Sequence, residues 1–170
     1  MDEVGKYPKR HDLHYQIAGV YFEKEDYREA AKGLKAALRL APEESKYHFQ
    51  LGRVYSVMGE SQEAETHFRE AVRLSQEDRY SGPHAALGYV LAMRKDLSGA
   101  IAEFKKCAEI EPQNPDYQYS LGSLHDMRGE RDEAIKHFQE YLVLGGTRYR
   151  KNAVFFLEKL GVQVDDAALG

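Results

Sequence analysis

An all-α array of two-helix repeats is predicted by three features of the 170-residue sequence. The same spaced set of residues comes round four times, as Ile17-Ala18-x-x-Tyr21, Leu51-Gly52-x-x-Tyr55, Leu87-Gly88-x-x-Leu91 and Leu121-Gly122-x-x-His125. Each set is followed at a fixed distance by Ala30, Ala64, Ala100 or Ala134, and four residues later by Leu34, Phe68, Phe104 or Phe138. The composition, 31% charged and 42% apolar with both signs interleaved, is that of a folded domain. Self-similarity at a period of about 34 residues marks a stack of supersecondary units, none of which buries its apolar face alone.

In the first repeat, helix A is expected over roughly Asp12 to Lys24 and helix B over Tyr27 to Leu40, with Glu25-Asp26 as the turn. Asp26 reads as the N-cap of helix B, and Glu29 completes a capping-box pattern. Asp96 takes the same slot in the third repeat. Glu60 and Glu130 take it in the second and fourth, directly after Gly59 and Gly129, and glycine there suits the left-handed end of helix A. Pro42 and Pro112 stop helix B because proline has no amide to continue the ladder. The second repeat is expected to end at Gln76 and the fourth at Gly145-Gly146.

The small residues have a packing reason. Ala18, Gly52, Gly88 and Gly122 fall where helix A crosses helix B, opposite Ala30, Ala64, Ala100 and Ala134. Tyr21, Tyr55, Leu91, Leu34, Phe68, Phe104 and Phe138 then fill the space beside the crossing. Cys107 aligns with Ala37, Ala71 and Tyr141 and reads as a buried small apolar residue. As the sole cysteine it forms no intrachain disulfide.

These residues resemble the tetratricopeptide repeat (TPR), in units 11–44, 45–78, 81–114 and 115–148, with Arg79 and Tyr80 as two extra residues between the second and third. Residues 1–10 and 162–170 read as tails. Three departures stand out: His14, His48, His84 and Gln118 in a slot often held by tryptophan, the two-residue insertion, and Tyr141 in place of a small residue. The resemblance implies a right-handed α-α superhelix, a TPR solenoid, whose inner wall is lined by every helix A. After Gly146, Tyr149, Ala153, Phe156, Leu157 and Leu160 share one helical face, with Arg148, Arg150, Lys151 and Lys159 on the wet side. This predicts a solvating helix over 149–161 that closes the array. Val154 and Phe155 lie off that face; packing on the last repeat is the preferred reading, contact with a partner the other.

The register points Tyr15, Phe22, Phe49, Arg53, Tyr89, Met93, Tyr119 and Met127 into the inner wall, and these are the candidate protein-binding residues. The wall carries an aromatic ladder and a nearly bare third segment of Gly82, Ala85, Ala86 and Ala92, which suits a helix or extended peptide laid in a groove. Asp12, Lys46, Arg53, Asp116 and Asp126 would set its orientation. Family members that hold acidic chaperone tails use a lysine, asparagine and arginine clamp. The matching positions here are Tyr15, Gly19, Gln50, Gly82 and Ala86, or one repeat later Phe49, Arg53, Ala86, Asp116 and Ser120. Neither set supplies that clamp.

The expected function is therefore a non-catalytic protein-interaction module, a scaffold, adaptor or chaperone-like protein. No glycine-rich phosphate loop, nucleophile elbow or HExxH motif occurs, so no enzyme activity and no cofactor are expected. The net charge of −4, without a basic stripe, opposes nucleic-acid binding. The recurring histidines lie about a helix diameter apart, on the order of 10 Å, too far for shared ligation at about 2 Å, so no metal site is expected. Nothing indicates an oligomer. The acidic start and the absence of a long apolar run favour a cytoplasmic protein over a membrane-inserted one. A periplasmic or lipid-anchored place follows if a signal segment precedes these residues. Two alternatives are an envelope or pilus-assembly factor of the pilotin kind, similar in its short array and its Gly145-Gly146 ending, and the regulatory region of a larger enzyme.

Overall fold

The computed structural model describes residues 10–75 and 80–164, and among these there are nine helices and no strand. The chain divides into two units, Met1–Asp78 and Arg79–Gly170. In the first, α1 (Arg10–Glu23), α2 (Tyr27–Leu40), α3 (Ser45–Val57) and α4 (Ser61–Leu74) pack each on the next. In the second, α5 (Gly82–Met93), α6 (Leu97–Ile110), α7 (Pro115–Arg128), α8 (Arg131–Val143) and α9 (Arg150–Lys159) do the same. The division falls at the two inserted residues. Gln76, where the second repeat was expected to end, and residues 1–9 and 165–170 of the expected tails lie outside the described residues.

Helix pairing follows from the small and large positions. A Cβ added at Gly52 would stand 2.7 Å from the Phe68 ring, at Gly88 2.9 Å from Phe104, and at Gly122 2.8 Å from Phe138. The glycine on helix A thus admits the ring from helix B. Ala30, Ala64, Ala100 and Ala134 are fully buried on the opposite helix. In the first repeat the bare position has crossed over. Helix A carries Ala18, and the glycine is Gly33 on α2, where a Cβ would stand 2.9 Å from that of Ala18. Cys107 is buried, and burial pushes its thiol up to about 12, so it stays an inert thiol.

The turns between paired helices all need one left-handed residue. Gly59 and Gly129 supply it at φ 79° and 76°, but Glu25 and Lys95 adopt it at φ 61° and 68° without the freedom of glycine. Asp26 and Asp96 cap their helices, accepting from the amides of Glu29 and Gly99 at 3.3 and 2.9 Å. The reciprocal half of the capping box is absent. The Glu29 carboxylate pairs with Lys32 at 2.5 Å, while the Asp26 amide donates to the Tyr21 carbonyl. Glu60 and Glu130 make no side-chain cap.

The recurring imidazole slot is a clasp between the helices of one repeat. His48 Nδ1 lies 3.1 Å from His67 Nδ1, His84 Nδ1 2.7 Å from Glu103 Oε2, and His137 Nδ1 2.7 Å from Gln118 Oε1. In the first repeat the partner slot on α2 holds Gly33. Burial first, then the neighbouring His48, holds His67 down to about 4; burial and His125 do the same for His137.

Helix α9 closes unit 2. Ala153 and Leu157 pack against Ala134, Phe138 and Tyr141 of α8, and Phe156 stacks on Phe138 at 5.2 Å. The Tyr141 hydroxyl accepts the Tyr149 amide at 2.6 Å, so the bulky residue in the small slot has a structural use. Val154 is buried, whereas Phe155 is exposed, so the two residues off the main face part company. Arg150 is half-buried, not on the wet side. Val162 and Val164 rest against the same cluster, so packing runs past the expected start of the tail.

Two outcomes follow from this core. Gly122→Ala is expected to destabilise: alanine gains about 1 kcal/mol of helix propensity, but crowding Phe138 costs roughly 1–3 kcal/mol. Thermal melting would show a Tm at or below wild type, and a Tm higher by several degrees would refute the close crossing. The second outcome concerns pH. His67 and His137 are neutral in the fold, and the unfolded chain takes up their protons at about 6.5. Their contribution is therefore complete above about pH 6.5 and is lost as pH falls toward about 4. Urea titrations should show a stability loss across that window that is smaller in His67→Gln/His137→Gln.

Candidate functional site

Each unit presents its own hollow on the helix A side. In unit 1 a hollow of about 80 Å³ is lined by Tyr15, Gly19, Phe22 and Glu23 of α1 and by Gln50 and Arg53 of α3, with Ala18, Val54 and Leu34 at its floor. Tyr15 leans on Tyr47 with ring centroids 5.0 Å apart, and Phe22 sits edge-on to Tyr27 at 5.5 Å. Arg53 donates to Gln50 Oε1 at 2.8 Å and holds its guanidinium 5.1 Å above the Phe22 ring. The wall is thus mixed, with two aromatics and a cation stacked on one of them.

Unit 2 holds a larger cup of about 240 Å³, lined by Tyr89 and Ala92 of α5, Phe104 of α6, Tyr119, Ser120, Ser123, Leu124 and Met127 of α7, and Tyr149 before α9. Tyr89 is 52% and Met127 53% exposed, and Tyr89 stands edge-on to Phe104 at 4.9 Å. Tyr119 and Tyr149 stack with centroids 4.4 Å apart and planes 13° from parallel. Ser120 and Ser123 donate to the carbonyls of Asp116 and Tyr119 within their own helix, each at 2.9 Å. With both hydroxyls so engaged, the cup is lined mainly by carbon.

Six of the eight sequence-derived candidates therefore line these hollows: Tyr15, Phe22 and Arg53 in one, Tyr89, Tyr119 and Met127 in the other. Phe49 lines neither; it is half-buried with its ring 5.9 Å from Phe68. Met93 is 70% exposed at the end of α5, outside the cup. Tyr149 was missed as a wall residue. Its place on the packing face of α9 was legible, but its stacking on Tyr119 needs the chain to turn at Gly145 (φ 74°) and fold back.

The charges expected to orient a partner are engaged within the protein. Asp12 accepts from the Tyr47 hydroxyl at 2.7 Å and lies 3.5 Å from Lys46; the hydroxyl, then the lysine, holds its carboxyl below the usual range. The same contact, with burial as the larger cause, raises the Tyr47 phenol. Asp116 pairs with Arg148 at 3.6 Å and Asp126 with Lys159 at 3.5 Å. Among the described residues, no group of three or more histidine, cysteine, aspartate or glutamate residues could hold a metal ion, and no helix is long and apolar enough to cross a membrane.

Residues 10–77 match the model of the tetratricopeptide repeat family. The fold is similar to that of the MamA protein, at 21% identity and a TM-score of 0.80 over 94% of this chain and 86% of that one. It is also similar to YrrB, described as a TPR protein with an unusual peptide-binding site, at 20% identity and a TM-score of 0.70 over 91% of this chain and 87% of that one. The 41-end form of MamA from Desulfovibrio magneticus RS-1 aligns at 18% identity and a TM-score of 0.77, over 91% and 94% of the two chains. No curated protein matches the sequence.

Tyr149→Ala is expected to widen the cup of unit 2 and lower stability by about 1–2 kcal/mol, the order of a lost aromatic stack with some buried area. Tyr149→Phe keeps the stack and should melt close to wild type. Equal melting of the alanine and phenylalanine variants would rule the stack out as a support of the cup.

Proposed function

We propose that this chain, whose residues 10–77 match the tetratricopeptide repeat family, is a non-catalytic protein-interaction module, a scaffold or adaptor that takes a peptide or helix of a partner protein on its helix A faces. One observation carries the proposal: Tyr89, Tyr119, Met127 and Tyr149 surround an open, carbon-lined cup large enough for a bulky side chain. Rigid aromatics lose little conformational freedom on binding, and methionine adapts to the shape of its guest. Tyr15, Phe22 and Arg53 form the second contact region, where polar and cationic groups favour the polar parts of a bound segment. The peptide-binding site named for YrrB lends the reading support by likeness of fold. A catalytic role has no support in the hollows. The perturbed histidines His67 and His137 line neither of them and serve the helix clasps.

The test begins with a displayed peptide library selected on the purified protein. The best binder is then titrated against wild type and the Tyr89→Ala/Met127→Ala variant. Both side chains are more than half exposed, so the fold should survive, as circular dichroism would verify. An affinity loss of about tenfold or more, equivalent to about 1.4 kcal/mol, is expected. Unchanged affinity in a folded variant would move the site away from the cup.

A further inference from the structure

The first helix of unit 1 carries an apolar line that the same fold buries elsewhere. Arg10, Leu13, Ile17 and Val20 lie along one side of α1 at spacings of three and four, and Lys24, in the turn just after it with its amide bonded to the Val20 carbonyl, continues that spacing. Leu13, Ile17 and Val20 are 43%, 51% and 55% exposed. Their equivalents on α3 are Tyr47, Leu51 and Val54, at 0%, 0% and 1%. On α7 they are Tyr117, Leu121 and Leu124, at 9%, 1% and 4%.

The difference identifies what the line is for. Helix α1 packs on α2 as α3 packs on α4, within one repeat. Helix α3 has in addition the stacking contact with α2, as α7 has with α6. Residues buried on α3 but open on α1 are therefore those that stacking covers. In both instances a 14-residue helix with an apolar side, α2 or α6, provides the helix-to-helix stacking contact, and on α3 Tyr47 also touches Asp12 and Tyr15 of α1. The open line is one half of an interface that the chain builds twice within its units.

We propose that this face of α1 docks an amphipathic helix of another protein, apolar along one side and acidic at both ends of that side. The charge follows from Arg10 and Lys24, both exposed, which bound the apolar line at its two ends. A second copy fits less well. Two α1 helices meeting antiparallel would set Arg10 of each near Lys24 of the other. In a second copy, the end of unit 2 that would offer a stacking face is already covered by α9. The face is separate from both hollows: none of the five residues lines either one.

The probe is a stapled helical peptide as long as α2, with leucine and alanine at the three-four spacing and glutamate at both ends, measured by fluorescence anisotropy against the full chain. A lysine-ended version is the control. The glutamate peptide is expected to bind about tenfold or more tightly than the lysine one. Ile17→Glu, at an exposed position, should weaken it by a similar factor while leaving the circular dichroism unchanged. Arg10→Glu/Lys24→Glu should reverse the preference between the two peptides. Absence of binding, equal affinity for both peptides, or binding indifferent to Ile17→Glu would overturn the proposal. Light scattering provides one more arm: a dimer that Ile17→Glu dissolves would assign the face to a second copy and overturn it as well.

Discussion

The structure depends on how closely two helices approach within each repeat. With glycine on helix A and a phenylalanine ring on helix B, the ring enters the space a side chain would occupy, at Gly52–Phe68, Gly88–Phe104 and Gly122–Phe138. That approach is short-ranged and steric, so it tolerates little substitution. It sets the angle at which each pair crosses, and with it the direction in which Tyr15, Tyr89 and Tyr119 leave their helices. The hollows are in this sense by-products of the crossing: Phe104 and Leu34 are core residues on one side and floor or wall on the other.

Repetition also makes the departures readable. In the first repeat the bare position moves to Gly33, which keeps the approach while giving up the cross-helix clasp that His67, Glu103 and His137 provide elsewhere. In the fourth, Tyr141 fills the small slot because its hydroxyl accepts the Tyr149 amide and fixes the chain that returns as α9. Gly129 enters the left-handed region freely, whereas Lys95 does so because the ensuing Asp96 cap and the packing of α6 over-determine it.

The charges on the helix A side are engaged within the protein. Asp12, Lys46, Asp116 and Asp126 face the helix A side, but each finds a partner on a neighbouring element of its own unit. Such exposed pairs contribute little stability. Their effect is to leave the cup of unit 2 with a mainly apolar character, so that in the proposed role shape and aromatic contact would carry recognition. On α1, by contrast, the two cations Arg10 and Lys24 bracket an exposed apolar line, and there charge would carry specificity.

Most of the fold was legible in the sequence. Helix B of the first repeat falls at Tyr27–Leu40 as expected, and the small and large positions, Pro42, Pro112 and Gly129 act as their chemistry requires, because each is a local or nearest-neighbour constraint. Six of the eight candidate site residues were placed by register alone, since helical periodicity determines which side of a helix a residue occupies. Phe49 and Met93, the other two, line neither hollow, and Tyr149 joins the wall without having been among the eight, because what a side chain on the correct side touches depends on rotamer, helix end and the return of a distant segment. The same holds for Ile17, which shares its repeat position with Leu51 and Leu121 yet is half exposed. Local spacing determined that Ile17 holds the repeat position of Leu51 and Leu121, and only the tertiary arrangement decided that no helix among the described residues covers it, because burial is a property of the neighbour and not of the residue.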